Sequence, residues 1–168
     1  ISDQDSSGGL IECIIEGMPA GVGEPVFDKL DASLAKAVMS IGAVKGVEIG
    51  DGFSVTSSKG SINNDSFISE NGQVLKQTNH SGGILGGISD GSSIILRAAI
   101  KPTPSISQPQ KTVNTAGENI EIAISGRHDP VIVPRAVVVV ESMAAITLTD
   151  LLMQNMTSRI EYLKNIYL

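Results

Sequence analysis

The stretch Ser125-Gly126-Arg127-His128-Asp129-Pro130-Val131-Ile132-Val133-Pro134-Arg135 lies where the chain changes from strand-like to helix-like sequence. Before it, isoleucines at positions 120, 122 and 124 alternate with other residues, which is the period of a strand. The four valines at 137–140 would favour a strand by composition alone. Pro134, however, suits the first turn of a helix, and Ala144 and Leu148 follow at helical spacing. We therefore predict that this stretch opens a long buried helix, with context overriding the propensity of the valines.

The same stretch is a candidate site, because two guanidinium groups, an imidazole and a carboxylate occur within residues 127–135. Charged groups close to packed structure are costly unless they pair or bind something. Arg127 offers a planar fork of donors that suits phosphate or carboxylate, and Asp129 could act as a base or accept a hydrogen bond. The alternative interpretation is a surface loop with an internal Arg–Asp pair.

The composition describes an aliphatic and acidic chain. It has 168 residues, of which 41% are hydrophobic and none is Trp, and its formal net charge is −6. The basic residues form no run, so we expect neither nucleic acid nor a membrane as a partner. A small anionic ligand stays open, because Arg127, His128 and Arg135 could supply a local positive cluster.

Cysteine content and apolar runs bear on the compartment. Cys13 is the only cysteine, which excludes an internal disulfide framework and a multi-cysteine zinc site. We expect no bound metal, no apolar run near the roughly 20 residues that span a bilayer, and no secretory leader. These features predict a cytoplasmic protein. The chain begins with Ile1 and a polar segment, so we also expect it to be part of a longer chain.

Strand and helix patterns alternate along the first half. The β-branched segment 10–16 predicts a strand. Four apolar residues then recur at helical spacing and predict a helix whose stripe packs in the core: Phe27, Leu30, Leu34 and Val38. Residues 41–50 predict a strand that contains glycine, which either lets a ligand approach closely or marks a bulge. The polar connection 52–70 is long for a loop, so we expect a mobile lid or a segment ordered by a ligand.

Glycines and prolines dominate the second half before the charged stretch. Residues 79–91 contain five glycines interleaved with apolar residues, which predicts a tight, partly buried backbone path that could support a ligand. A strand at 93–100 follows, and Lys101-Pro102-Thr103-Pro104-Ser105 then presents an ammonium group and two hydroxyls on a stiffened backbone suited to an anion. We predict a polar link at 108–117 and a short helix or tail after 158.

Five segments of this sequence together resemble the chorismate synthase family. They occur in the family's order and at suitable separations, and they cover nearly the whole chain. They are GEPVFDKLDA at 23–32, SIGAVKGVEIGDGF at 40–53, NHSGGILGGIS at 79–89, KPTPSI at 101–106 and GRHDP at 126–130.

The resemblance covers about the second half of the family's usual chain. It implies that residues 1–168 are the C-terminal part of a single domain whose N-terminal half is absent. The implied fold is α+β, with antiparallel sheet packed on long helices as half of a β-α-β sandwich, assembled as a homotetramer. The implied reaction is an anti 1,4-elimination of phosphate and a ring proton from 5-enolpyruvylshikimate 3-phosphate. It gives chorismate for aromatic amino acid biosynthesis and requires reduced FMN without net redox change.

The resemblance also assigns site residues. Asp129 matches the family's aspartate near the flavin N5, which would help to remove the ring proton. Arg127 and His128 would face the anionic substrate. The flavin contacts fall on Gly42, Ala43, Gly86, Lys101, Pro102, Thr103, Pro104, Ser105 and Arg127.

Two residues depart from the family's pattern, and other functions compete with the lyase. Gly42 stands where asparagine is common and Val138 where proline is common. The family's catalytic histidines belong to the N-terminal half, so we expect this chain to be inactive alone. One competing hypothesis is a non-catalytic assembly and cofactor-docking segment. Another is a metal hydrolase using His80, His128 and Asp129, which lack a recognised ligand spacing.

Overall fold

The computed structural model describes residues 4–126 and 128–167. Its strands are β1 (Gly9–Ile15), β2 (Val44–Ile49), β3 (Phe67–Glu70), β4 (Gln73–Lys76), β5 (Ile84–Leu85), β6 (Ile88–Ser89), β7 (Ile94–Ile100), β8 (Gln110–Val113) and β9 (Asn119–Ile122). Its helices are α1 (Leu30–Met39), α2 (Gly60–Asn63), α3 (Val133–Asn155) and α4 (Ile160–Tyr167), and a 3-10 helix spans Gly52–Ser57.

Strand β7 is the centre of a three-stranded antiparallel sheet, with β1 on one side and β2 on the other. Successive side chains of a strand point to opposite faces, and on β7 the residues of one face are all buried: Ile94, Leu96, Ala98 and Ile100. Helices α1 and α3 pack against each other and cover that face. This arrangement confirms the α+β fold, and the strands predicted at 10–16 and 93–100 are confirmed as β1 and β7.

Helix α1 follows from its own sequence pattern. Leu30, Leu34 and Val38 lie on one stripe and are fully buried, as the helical spacing predicted. Asp31 lies in the first turn, where the helix dipole favours a negative charge. The prediction is wrong for Phe27, which precedes the helix with a φ of 57° and is 89% exposed.

Helix α3 confirms that the valines open a helix, and it runs for 23 residues. Pro134 lies in its first turn, where the missing N–H has no intrahelical partner to lose. The buried residues form a single stripe, Val140, Ala144, Leu148 and Leu151. The valines at 137–139 are exposed, so the prediction of a buried helix holds for that stripe and is wrong for the rest of the surface.

The length and composition of α3 also meet the criterion for a membrane-crossing helix. The expectation that no apolar run reaches that length was therefore wrong. Core helices of soluble proteins meet the same criterion, and α3 packs against α1 and β1.

The strand predicted at 41–50 begins later, because residues 41–43 form the turn after α1. Its pairing with β7 shifts between Val44 and Gly46, which is a β-bulge. The bulge interpretation of the internal glycine is therefore confirmed.

The prediction of a loop without regular structure at 52–70 is wrong, because the 3-10 helix, α2 and the β3–β4 hairpin occupy this segment. A buried ion cluster fastens the end of this hairpin to the fold. Lys76 Nζ lies 3.1 Å from Asp65 Oδ2 and 2.8 Å from Asp90 Oδ2, with side-chain exposures of only 4%, 5% and 9% respectively. We call these three residues the Lys76 cluster. It orders the segment through contacts within the chain.

Asp65 is held ionised inside the Lys76 cluster. Burial alone would raise the pKa of Asp65, but backbone N–H donors of Ser81 and His80 and the hydroxyl of Thr78 outweigh it. The pKa of Asp65 therefore lies well below its usual range. The N–H groups of His80 and Ser81 therefore hold residues 78–81 against Asp65, next to the β3–β4 hairpin.

The prediction of a polar link at 108–117 is wrong in part, because this segment contains β8. This strand pairs with β9 so that Lys111 lies opposite Glu121, and Gly117 in the connecting turn has a φ of 81°. The short helix predicted after 158 is confirmed as α4.

Candidate active site

Two predicted cofactor-binding segments meet where β7 ends. The antiparallel pairing of β2 with β7 places Val44 opposite Ile100. The N–H of Lys101 then donates to the carbonyl oxygen of Ala43 over 2.9 Å. Ala43 has a φ of 72°, a left-handed conformation that is uncommon without glycine. A Cβ added at Gly42 would meet no atom within 4 Å, so the space beside this residue is open.

The proline-rich segment after β7 is fixed by contacts to Ser6 and to Gln110. The hydroxyl of Ser6 donates to the carbonyl oxygen of Thr103 over 2.6 Å, and the amide of Gln110 donates to that of Pro104 over 3.1 Å. The hydroxyl oxygen of Thr103 is buried and has no hydrogen-bond partner among residues 4–126 and 128–167. A buried polar atom without a partner is costly and rare, so this hydroxyl fits a ligand that offers an acceptor or donor there.

The charged stretch reaches the same place through its own contacts. The N–H of Ser7 donates to the carbonyl oxygen of Pro130 over 2.9 Å, and Ser7 forms a β-bridge with Val131. A cavity of about 160 Å³ opens beside this bridge, and the residues that line it are Gln4, Asp5, Ser6, Ser105, Ile106, Ser107, Gly126, His128, Asp129 and Pro130. The predicted residues Ser105, His128 and Asp129 therefore share one cavity.

The N-terminal residues of this cavity were missed by sequence reasoning. Residues 2–9 read only as a polar lead into β1, and no periodicity or motif there points to a site. Ser6 and Ser7 gain their place from long-range contacts to Thr103 and Pro130.

Asp129 is paired within the loop that carries it. Its Oδ2 lies 2.6 Å from Nη1 of Arg135, and the two side chains are 35% and 74% exposed. The internal Arg–Asp pair of the alternative interpretation is therefore present. His128 Nε2 lies 3.2 Å from the carbonyl oxygen of Ile124. Arg127, predicted to contact flavin and substrate, lies outside the described residues.

Gly86 does not join this group. It lies in the turn of the β5–β6 hairpin, with a φ of 60° and no atom within 4 Å of an added Cβ. That hairpin adjoins the start of β7, since a Cβ on Gly83 would meet the Ser93 carbonyl oxygen at 2.6 Å. Lys101 follows the other end of the strand, about 20 Å away at 3.3 Å per residue. Only a ligand that runs along the strand would contact both residues.

The glycine path predicted at 79–91 is tight, as expected, and its close approaches are to backbone. A Cβ on Gly82 would meet the Gly50 nitrogen at 2.3 Å, and one on Gly87 would meet the Glu24 carbonyl oxygen at 2.6 Å. These glycines therefore allow chain segments to pack closely. Gly86 differs from them in facing open space.

The two histidines lie in separate environments. His80 Nδ1 is 2.6 Å from Asp51 Oδ2, whereas His128 lies in the cavity with Asp129. Over residues 4–126 and 128–167, no group of three His, Cys, Asp or Glu residues is arranged to hold a metal ion. The metal-hydrolase hypothesis gains no support from this geometry.

Comparison with known proteins agrees with the motifs. The family model described as Chorismate synthase matches residues 1–153. A chorismate synthase of Lachnoclostridium phytofermentans is 69% identical over 168 residues, which cover 99% of this chain and 46% of that protein. A chorismate synthase of Methanosarcina mazei is 59% identical over 147 residues, which cover 87% of this chain and 40% of that protein.

The fold agrees as well. A solved crystal structure of chorismate synthase superposes with a TM-score of 0.74 at 32% identity, over 94% of this chain and 41% of that one. The chain spans a little under half the length of these relatives. On the extent of the family match and the identity to these relatives, the chain belongs to the chorismate synthase family.

Proposed function

We propose that this chain forms the FMN-binding part of a chorismate synthase that acts in the shikimate pathway. In the proposed reaction, 5-enolpyruvylshikimate 3-phosphate loses a ring proton and phosphate to give chorismate. The electrons of the broken C–H bond form one ring double bond, the existing ring double bond shifts toward the carbon that carried phosphate, and the C–O bond electrons leave with phosphate, so there is no net redox change. Reduced FMN is the proposed cofactor, and the full-length form is a chain of the length of the relatives.

The observation that carries this proposal is the meeting of separate segments at one end of the central sheet. The Ala43 turn contacts Lys101, Ser6 contacts Thr103, and Ser105 shares a cavity with Asp129. These segments are up to about 120 residues apart in sequence, so local chain geometry does not explain why they meet. All of them except the segment of Ser6 belong to family motifs.

The described residues fit a bound anionic cofactor. The Lys101 side chain is exposed and would neutralise an anionic group. The hydroxyl of Thr103, which has no partner within the described part of the chain, would hydrogen-bond to the same group. The backbone of Gly42 and Ala43 would contact the cofactor without side-chain obstruction. When bound, reduced FMN supplies the electron-rich flavin ring that the family's reaction requires.

Asp129 is the proposed general base. Its carboxylate borders the cavity, and Oδ2 is taken by Arg135. Oδ1 would accept the ring proton and hold it until release, while His128 in the same cavity would contribute to binding the anionic substrate. Phosphate would leave toward the positive groups of the site.

A second candidate function is a non-catalytic assembly and cofactor-docking segment. The exposed apolar surface of α3 favours it, since Val138, Ile146 and Met153 are each at least 60% exposed on a helix whose opposite stripe is buried. We propose that this surface is covered in the assembled protein, which we expect to be a cytoplasmic homotetramer.

The test is Asp129→Asn in the full-length form, assayed for chorismate formation with pre-reduced FMN. Asparagine keeps the size of the side chain but removes its basicity. General base catalysis contributes about 10²–10⁴-fold, so we expect kcat to fall by that factor while the dissociation constants of FMN and substrate change less than about tenfold. Asp28→Asn, on the exposed chain before α1, is the control and should retain activity.

Two outcomes would reject the catalytic role. Asp129→Asn could turn over normally, or it could fail to bind FMN, which would leave Asp129 as a binding residue only. FMN titrated into the 168-residue chain alone, followed by absorbance, tests cofactor binding, and a second assay adds the remaining part of the protein. If the chain binds FMN without turnover and the added part restores turnover, the lyase is supported over the non-catalytic segment.

A further inference from the structure

We propose that Arg135 is a positioning residue that orients the Asp129 carboxylate for proton transfer, an inference that rests on the proposed lyase function. The direct observation is the contact of 2.6 Å between Arg135 Nη1 and Asp129 Oδ2. The family motif that ends at Pro130 does not include Arg135, and the sequence predicted for it only a place in a positive cluster with Arg127 and His128.

Both ends of this contact are attached to fixed backbone. The N–H of Arg135 donates to the carbonyl oxygen of Ile132 over 3.0 Å, in the first turn of α3. On the other side, Pro130 accepts the hydrogen bond of Ser7, and Val131 is bridged to the same residue. The ion pair therefore closes a short loop whose two ends are held by different parts of the fold.

Local helix energetics do not favour an arginine at position 135. The first turn of a helix carries the positive end of the macrodipole, which favours acidic residues and disfavours basic ones. The first turn of α3 contains no acidic residue. A residue that contradicts its local preference points to a role elsewhere, and the contact made by Arg135 is to Asp129.

Stability does not explain the pair either. The Arg135 side chain is 74% exposed, and ion pairs of that exposure contribute little to folding because solvent screens them. What such a pair can supply is a preferred orientation of the Asp129 carboxylate. The guanidinium engages Oδ2 and so favours one orientation of the carboxylate. We therefore assign proton transfer to Oδ1, the other oxygen of a residue that lines the cavity.

The consequence for the reaction is specific. Arg135 would act through Asp129 and would touch neither substrate nor cofactor, so its loss should lower turnover and leave binding nearly unchanged. Misplacement of a catalytic group by about 1 Å can cost about 10²-fold in rate. We expect Arg135→Ala to lower kcat by about 10–100-fold and to change KM less than about threefold.

The experiment is a double-mutant cycle in the full-length form, with kcat and KM measured for Arg135→Ala, Asp129→Asn and the double variant. If Arg135 acts only through Asp129, then Arg135→Ala in the Asp129→Asn background should lower kcat by less than about twofold. Arg135→Lys keeps the charge and should recover part of the loss. Arg159→Ala, which removes an exposed arginine that stacks on Tyr162, is the control and should match the wild type.

The outcomes separate this inference from the proposed function. An active wild type whose Arg135→Ala variant is equally fast overturns the inference alone, as does an equal loss in both Asp129 backgrounds. A loss that Arg135→Lys does not recover, with a lowered unfolding temperature in both variants, also overturns it in favour of a structural role. A full-length wild type that forms no chorismate refutes the proposed function and this inference with it.

Discussion

The Lys76 cluster should be a point of the fold that is highly sensitive to a single substitution. Lys76→Ala would leave Asp65 and Asp90 buried without the cation that lies 3.1 and 2.8 Å from them. It would also remove the donor to Asn79 Oδ1 and Ser81 Oγ. Removing one member of a buried ion pair costs about 3–5 kcal/mol, a large share of the roughly 5–15 kcal/mol by which domains are stable.

Urea unfolding followed by circular dichroism would measure this loss. At a typical slope of about 2 kcal/mol per molar urea, the midpoint should fall by about 1.5 M or more. Lys29→Ala is a matched control, because Lys29 Nζ also lies 3.1 Å from a carboxylate, that of Asp31, but the side chains are 41% and 33% exposed. We expect less than about 1 kcal/mol there. Equal midpoints for the two variants would refute the reasoning.

Other predictions concern pH and the cofactor. Folding lowers the pKa of Asp65, so its contribution is complete above the ordinary value of 3.8 and is lost as pH falls through the folded value; Asp65→Asn should flatten the acid limb of unfolding free energy against pH. Lys101→Ala in the full-length form should weaken FMN binding at least about tenfold in titration, with exposed Lys111→Ala unchanged. Gly86→Val should weaken FMN binding. The control is Gly117→Val, whose glycine also has a positive φ and open surroundings, and the unfolding midpoint should shift no more in Gly86→Val than in this control. Equal FMN affinity in the two variants would show that Gly86 is not part of the site.

Elements whose signal is local could be predicted from the sequence. The stripe of Leu30, Leu34 and Val38 packs as its spacing indicated, because helical period is a property of neighbouring residues. The boundary at Phe27 failed, since the same spacing continues into a segment whose backbone leaves the helix. Periodicity locates an element better than it locates its end.

The order of residues 52–76 could not be predicted, because it depends on distant partners. Lys76, Asp65 and Asp90 are 11 to 25 residues apart and look like ordinary surface charges in the sequence. Only the folded chain shows that they share one buried point. The candidate site divides in the same way: motif residues such as Thr103 were recognisable, whereas Ser6 enters through a contact across 97 residues.

The pair formed by Asp129 and Arg135 was foreseen in kind, as an internal Arg–Asp pair. The sequence could not say which arginine pairs with Asp129, because the charged stretch contains two arginines with the same guanidinium group. The structure shows that Arg135, in the first turn of α3, contacts Asp129.

The strand order β1-β7-β2 has a consequence for how the chain is made. The two outer strands leave the ribosome first, and the strand that separates them begins 45 residues after β2 ends. At usual rates of translation that interval is about 2–9 s, many times longer than a hairpin needs to form. During it, neither β1 nor β2 has the strand with which it pairs in the folded chain. A nascent chain in that state can accept β7 from a neighbouring polypeptide, so high expression should favour strand-exchanged dimers, and slower synthesis or chaperone cover should suppress them.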